Sequence, residues 1–452
     1  MIAINLMKSR HNIIQLKPTQ VLALGFAGII FIGTLILNLP IATVSRQSPG
    51  FINALFTATS AVCVTGLVVV DTGTYWSTLG QVVILILIQV GGLGIMTMAT
   101  MVFLLLGKRI TLRERLVIQE ALNQFSIAGV VRLVRYILFL TFIVETSGAL
   151  LLSFRFIPKY GMIRGLYYSI FHSISAFNNA GFDLIGGFKS FTPFKQDIWV
   201  NLVIMGLIIL GGLGFTVIID LIHHRNLNRV SLHSKLVLLL TFSLLILGFS
   251  TIFFLEFNNP DTLKPLPLIG KITASMFHSV TPRTAGFNTL PTEKLNTATQ
   301  FFTMLFMFIG GSPGSTAGGI KTTTFGAIII TVWSIIRGRS DAVIFKKTIP
   351  SFIIYKSLSI IIIALVLISV ITMILTITEK ADFMSVIFEV FSAFGTVGLS
   401  LGLTPELSPA GKILIILTMF SGRVGPLTLA LAFSVRRKKV TIKYPEEKIL
   451  VG

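Results

Sequence analysis

Eight apolar runs long enough to cross a bilayer alternate with four that are too short to do so, and this alternation restricts the fold more than any other feature. A helix rising 1.5 Å per residue needs about twenty apolar residues to cross about 30 Å of hydrocarbon. The long runs lie roughly at 21–39, 79–106, 133–154, 198–222, 235–255, 301–336, 358–377 and 413–433. The short ones, about a dozen residues each, lie at 51–62, 166–177, 268–280 and 382–394. The order is long, short, long, four times over. Only 12 % of residues are charged, against about a quarter in water-soluble domains.

Each short run leads into a small-residue segment ending in glycine and an apolar residue. These are Ser60-Ala61-Val62-Cys63-Val64-Thr65-Gly66-Leu67, Ser175-Ala176-Phe177-Asn178-Asn179-Ala180-Gly181-Phe182, Ser279-Val280-Thr281-Pro282-Arg283-Thr284-Ala285-Gly286-Phe287 and Ser392-Ala393-Phe394-Gly395-Thr396-Val397-Gly398-Leu399. One such segment is an ordinary turn. Four, each after a half-length run and before a full one, mark a fourfold internal repeat.

The formal charge of +20 does not indicate nucleic-acid binding, because the basic residues sit between apolar runs, as membrane topology requires. With both termini on the cytoplasmic side, inner segments carry about twice the Lys and Arg of outer ones. Arg283, Lys321 and Arg423 fall within the apolar zone itself. The glycine segments then enter from outside. The run at 21–39 follows Lys8, Arg10 and Lys17 but lacks a small-x-small cleavage site, so it reads as a retained first span. A single cysteine, Cys63, excludes an internal disulfide framework.

Irregular backbone inside a bilayer must be buried in protein or line a watery cavity, since each unpaired N–H or C=O facing lipid costs several kcal/mol. Four non-helical segments therefore belong at one axis. The predicted fold is an all-α membrane protein, a fourfold repeat of span, re-entrant half-helix with loop, and span, with eight transmembrane helices around one central pore. Loop carbonyls there replace the water shell of a cation, as in potassium channels. Glycine suits the task because no side chain stands between carbonyl and ion. Apart from Arg283 the side chains are neutral, which favours a monovalent cation, potassium over calcium.

The third repeat departs from the others at Gly310-Gly311-Ser312-Pro313-Gly314-Ser315-Thr316-Ala317-Gly318-Gly319-Ile320-Lys321, which cannot form regular helix. It is either a packed kink or a loop below the glycine segments that blocks or admits ions. A nucleotide P-loop is excluded, because the spacing before Lys321 is wrong and no strand precedes it. Arg423, in the last span, reads as a cation facing the pore and that loop, against a structural pairing with Glu145 or Glu256. Intramembrane charges usually face the bundle interior. Arg283 reads as a strut paired with Glu389 or Asp183. Asp71 and Asp183 either concentrate cations outside or cap loops. His223-His224 has no third metal ligand nearby.

These segments, with their order over nearly the whole chain, resemble the Trk/Ktr/HKT superfamily of cation transporters, and the Ktr branch most. The resemblance implies four filter strands, Val64-Thr65-Gly66, Asn179-Ala180-Gly181, Thr284-Ala285-Gly286 and Thr396-Val397-Gly398. Serine at the first filter glycine is associated with sodium selectivity in that superfamily, so Gly66 implies a potassium conductor. It further implies a gating loop, here Gly310, Gly311, Gly314, Ser315, Thr316, Ala317, Gly318, Gly319 and Lys321, with Arg423 beside it. The chain would carry no cofactor, with K+ as substrate and Na+ as activator. It would pair as a homodimer in the lipid bilayer on a cytosolic ring of nucleotide-binding subunits of KtrA type, with ATP or ADP acting in trans. The inner loops are too short to hold a nucleotide domain.

The expected division is a cytoplasmic N-terminus at 1–18, repeats at 19–132, 133–234, 235–355 (with the loop at 310–321) and 356–434, and a cytoplasmic tail at 435–452. The competing reading is a secondary transporter coupling sodium or protons to a solute. Such folds show inverted repeats and intramembrane carboxylates, whereas these repeats share one orientation. No constellation typical of an enzyme is present.

Overall fold

The computed structural model describes residues 17–106, 110–122, 129–224, 226, 229–433, 445 and 447. Most of the expected cytoplasmic N-terminus and tail lies outside them, as do Lys108 and Arg109. Four stretches follow one another. The first holds α1 (Pro18–Leu37), α2 (Phe51–Cys63), α3 (Thr72–Tyr75), α4 (Thr78–Leu93), α5 (Ile95–Leu105) and α6 (Leu112–Ala121). The second holds α7 (Val130–Tyr160), α8 (Met162–Phe177), α9 (Ile198–Leu213) and α10 (Phe215–His223). The third holds α11 (Leu232–Glu256), α12 (Leu268–Val280), α13 (Thr297–Phe308) and α14 (Thr322–Ile336), then a small antiparallel hairpin, β1 (Val343–Ile344) and β2 (Lys347–Thr348). The fourth holds α15 (Ser351–Thr378), α16 (Phe383–Gly395), α17 (Pro409–Val424) and α18 (Pro426–Phe433).

Among the described residues α1, α7, α11 and α15 are each long and apolar enough to cross a membrane alone. Two bent pairs reach that length only together, α4 with α5 at 100° and α9 with α10 at 93°. Of the eight spans the sequence predicts, four are therefore continuous helices. The bends have a local cause: Gly94 and Gly214 hold φ values of 84° and 93°, which end a helix and suit residues without Cβ. Gly425, at φ 94°, separates α17 from α18 in the same way.

Helix starts follow capping chemistry. Ser77, Asp197 and Ser408 accept hydrogen bonds from the backbone N–H of Gly80, Val200 and Gly411 at 3.3, 3.1 and 3.1 Å, opening α4, α9 and α17. In each stretch the first long helix packs on the short helix after it, α1 on α2, α7 on α8, α11 on α12 and α15 on α16. The later helices close a circle, since α4 packs on α8, α9 on α12, α13 on α16 and α17 on α2. The short helices are thereby enclosed, and Phe56, Phe171, Phe177, Phe277, Phe388 and Phe394 on them are fully buried. Large apolar side chains such as Phe142, Phe254 and Ile377 are 70 %, 75 % and 80 % exposed on the outer helices. A surface so apolar suits lipid rather than water.

Candidate functional site: a ring of four glycine strands against the loop at 310–321

Within one to four residues of the end of each short helix, a strand-like segment begins with a left-handed residue. Val64, Asn179, Thr284 and Thr396 have φ of 57°, 58°, 73° and 50°, and two residues on, Gly66, Gly181, Gly286 and Gly398 have φ of 86°, 70°, 77° and 93°. Non-glycine residues rarely hold such values, and four at equivalent points require strong support from their surroundings.

The four segments meet. A Cβ on Gly66 would lie 2.6 Å from the Ala180 carbonyl oxygen, and one on Gly181 would lie 2.9 Å from that of Ala285. A Cβ on Gly286 would strike the Val397 carbonyl oxygen, and one on Gly398 that of Thr65. The contacts thus run from the first segment to the second, third, fourth and back to the first, with one backbone oxygen beside each glycine. The side chains of Thr65, Ala180, Ala285 and Val397 are fully buried. No carboxylate belongs to the ring.

Side chains behind the ring hold it. Ser60 Oγ accepts from Gly66 N and Ser392 Oγ from Gly398 N, both at 3.1 Å. Ser175 Oγ donates to the Phe182 carbonyl at 2.7 Å, and Thr281 Oγ1 donates to that of Phe287 at 2.5 Å. These supports were legible only in part. Three serines stand six residues before their glycines, but in the third segment, which is one residue longer, Ser279 stands seven before and Thr281, five before, serves instead. The buried carboxylate of Glu389 accepts from Ser400 and Thr404 hydroxyls at 2.7 and 2.5 Å, tying α16 to the chain beyond Gly398.

The expected partners of Arg283 are not there. Its guanidinium reaches Thr241 Oγ1 at 3.4 Å, and Nε has no partner. Asp183 accepts from Ile185 N at 2.9 Å, while Glu389 faces Ser400 and Thr404. Arg283 is instead directed toward α11, which carries Thr241. Asp71 accepts from Thr74 N at 2.9 Å and Phe188 N at 3.0 Å, so it caps α3 and ties it to the loop at Phe188. His224 Nδ1 lies 2.9 Å from Asp220.

The residues 310–321 form a compact loop against the ring strands. Gly310 N donates to the Ile320 carbonyl at 2.8 Å and Thr322 N to that of Gly311 at 3.0 Å, closing the loop at its base. Ser312 N and Thr316 N donate to the carbonyls of Gly212 and Gly211 at 3.0 and 3.2 Å, and Phe215 N to that of Gly314 at 2.9 Å. The Asn179 amide hydrogen-bonds Thr316 Oγ1 at 3.0 Å, and a Cβ on Gly318 would strike the Thr396 side chain. The loop therefore touches the second and fourth strands at their left-handed residues. Ser315 Oγ donates to the Ser312 carbonyl at 2.6 Å, and Lys321 Nζ to that of Ala317 at 2.6 Å.

Arg423 completes this layer. Its guanidinium donates to the carbonyls of Thr316 and Gly91, and to that of Gly92 at 3.1 Å. The alternative acids are engaged elsewhere, Glu145 by Gln89 and Asn178, and Glu256 by Asn259, Thr262, Asn296 and Thr299. One arginine so joins the first, third and fourth stretches through backbone carbonyls alone. The close fit depends on Gly91, Gly211 and Gly422, where a Cβ would strike the carbonyl oxygens of Val62, Phe177 and Phe394.

The TrkH family model, described as a cation transport protein, matches residues 27–442. The chain is 48 % identical to Ktr system potassium uptake protein B of Bacillus subtilis over 97 % of its own length and 98 % of that protein's. It is 41 % identical to the potassium/sodium uptake protein NtpJ of Enterococcus hirae over 97 % and 98 % of the two chains. It resembles the crystal structure of the potassium transporter TrkH from Vibrio parahaemolyticus with a TM-score of 0.74 at 18 % identity, covering 96 % of this chain and 88 % of that one. A circular helical fold, a carbonyl-lined ring and matches of this extent agree: the chain belongs to the TrkH family of cation transport proteins, and is a transporter rather than an enzyme.

Proposed function

We propose that this chain is the potassium-translocating subunit of a Ktr-type uptake system, passing K+ down its electrochemical gradient through the ring of four glycine strands. The mutual contact of Gly66, Gly181, Gly286 and Gly398 with neighbouring carbonyl oxygens carries the reading. Backbone dipoles, with no carboxylate, supply a field suited to a dehydrated monovalent cation. The short helices α2, α8, α12 and α16 end just before the strands, so the negative ends of four helix dipoles add to that field. The hydroxyls of Thr65, Thr284 and Thr396, buried without a partner, are further oxygens for an ion. In this reading Val64-Thr65-Gly66, Asn179-Ala180-Gly181, Thr284-Ala285-Gly286 and Thr396-Val397-Gly398 are the filter, and the four stretches are four repeats around one pore.

The loop from Gly310 to Lys321, with Arg423, is the gate. Its contacts with Asn179 and Thr396 set it against the filter, and Arg423 adds a positive charge where low-dielectric surroundings strengthen repulsion of a cation. Opening requires the loop to leave its bonds to Gly211 and Gly212. Both termini face the cytoplasm, in line with the Lys and Arg distribution. The B subunit of the Bacillus system belongs by its name to a potassium uptake system, and NtpJ is named for potassium and sodium. On that analogy the chain pairs as a homodimer under a nucleotide-binding cytosolic ring of KtrA type, ATP or ADP acts on the ring, and sodium acts as activator. The test is K+ and Na+ flux through purified protein in liposomes, with and without the candidate ring. K+ flux that exceeds Na+ flux and responds to the ring supports the reading; the absence of K+ flux under every condition overturns it.

A further inference from the structure

α14 ends in a site that the transport reading does not use. After Ile336 the chain folds back on the helix, with Gly338 at φ 70° and Arg339 N donating to the Ser334 carbonyl at 3.0 Å. It then forms the β1–β2 hairpin, whose turn residues Phe345 and Lys346 both have left-handed φ, 50° and 59°. Left-handed φ at both central residues matches a two-residue turn to the twist of its strands. Between it, α14 and α11 lies a cavity of about 330 Å³. Leu239, Ile330 and Trp333 form its apolar side, and Arg337 and Arg339 its charged side.

The arrangement is amphipathic at one particular depth. Trp333 is 55 % exposed, and the Arg337 guanidinium lies over its ring at 4.7 Å. A tryptophan and an arginine at the end of an apolar helix mark the level of lipid headgroups. Among the described residues neither Arg337 nor Arg339 has an ion-pair partner, and Asp341, the nearest carboxylate in sequence, is exposed and bonded to neither. The cavity thus offers two unpaired guanidinium groups, suited to bidentate recognition of an oxyanion, beside an apolar wall continuous with the lipid-facing side of α14.

We propose that this cavity binds an anionic phospholipid, with the headgroup phosphate on Arg337 and Arg339 and the start of an acyl chain along Leu239, Ile330 and Trp333. A free oxyanion would leave the apolar wall unused, and a neutral lipid would leave a net positive charge unmatched. The site stands apart from the transport reading, because binding is read without flux.

The full chain is reconstituted in phosphatidylcholine bilayers with increasing phosphatidylglycerol. Lipid retained after mild detergent extraction is counted by native mass spectrometry, and the unfolding midpoint is followed in parallel. The expected result is preferential retention of phosphatidylglycerol, weakened at least about tenfold for each arginine removed and about a hundredfold in R337Q/R339Q, as for lost hydrogen bonds between charged groups. R229Q, a basic residue outside the cavity, changes retention by no more than about fivefold, the shift expected when only the general surface charge changes. Should the double variant not fold, Leu239→Trp, which fills the apolar wall and keeps both arginines, is expected to lose retention as well. Equal retention by parent and folded variants overturns the proposal. So does inorganic phosphate stabilising the protein in pure phosphatidylcholine as well as the lipid does, which means a free-anion site. A change from dimer to monomer in R337Q/R339Q with lipid retention intact also overturns it, and assigns the groove to a second copy.

Discussion

The passage from α4 to α5 and the passage from α13 to α14 solve one geometric problem with very different amounts of chain. In the first, Gly94 alone turns the helix through 100°. In the third stretch the turn occupies the whole of 310–321 and forms hydrogen bonds to Gly211, Gly212, Phe215 and Arg423. A bend therefore does not require a loop. The extra residues lie against Asn179 and Thr396 of the ring, so their placement is tied to the ring and not to the course of the helix. The ring itself is the opposite case. Every stretch contributes one strand to it, and any one strand leans on two neighbours.

The largest effect that separates the two regions concerns the loop. A unit positive charge within about 8 Å of an ion path adds roughly 2 kcal/mol to the barrier at an effective dielectric of about 20. Arg423→Ala, or deletion of several residues from Gly314 to Gly319, is expected to raise K+ flux in liposomes about thirtyfold and to reduce its dependence on the cytosolic partner. The K+/Na+ ratio should hardly change. A folded deletion variant with normal, regulated flux would falsify the gate and leave the loop as packing.

Changes to the ring should do the reverse. In Gly286→Ser a Cβ strikes the Val397 carbonyl, and in Gly66→Ser it crowds that of Ala180. A left-handed non-glycine residue alone costs about 1–2 kcal/mol. The expected result is a roughly tenfold fall in the K+/Na+ flux ratio with partner dependence retained. An unchanged ratio in both variants removes the filter assignment.

A smaller effect distinguishes two bends that share one backbone conformation. Gly94 has open space where a Cβ would go, whereas at Gly214 the Pro313 carbonyl oxygen of the loop lies 2.7 Å away. Gly94→Ala should therefore cost only the conformational term of about 1–3 kcal/mol, and Gly214→Ala more, since it also pushes on the loop. Unfolding midpoints in detergent give the first comparison, and basal flux should rise only in the Gly214 variant. Equal midpoints and equal flux would mean that the loop does not bear on that bend.

The smallest expected effect is at the start of α16. Asp382 accepts from Ser385 Oγ at 2.6 Å and Ser385 N at 3.0 Å, and these bonds hold its carboxyl below the usual carboxylate range. A depressed folded-state value contributes stability above the unfolded value and loses it as pH falls through the folded one. Asp382→Ala should cost about 1 kcal/mol as a lost helix cap, with the difference from the parent vanishing toward strongly acidic pH. A difference that persists unchanged there would mean packing, not the charge, is what Asp382 supplies.

The sequence by itself determined what depends on run length and local backbone. Apolar runs near twenty residues announce membrane crossing because hydrocarbon thickness sets their length, and α1, α7, α11 and α15 form where such runs occur. Glycine spacing announces left-handed backbone because only glycine adopts it without steric cost, and Gly66, Gly181, Gly286 and Gly398 hold it. The loop at 310–321 was legible as a break for the same reason. Tertiary structure alone decided everything that depends on which distant atoms meet. The closing of Gly398 on Thr65, the three carbonyls around Arg423, the turning of Arg283 toward Thr241 and the substitution of Thr281 for a serine have no local signal. Run length and backbone freedom are properties of a few consecutive residues. A partner is chosen by the packing of the whole chain.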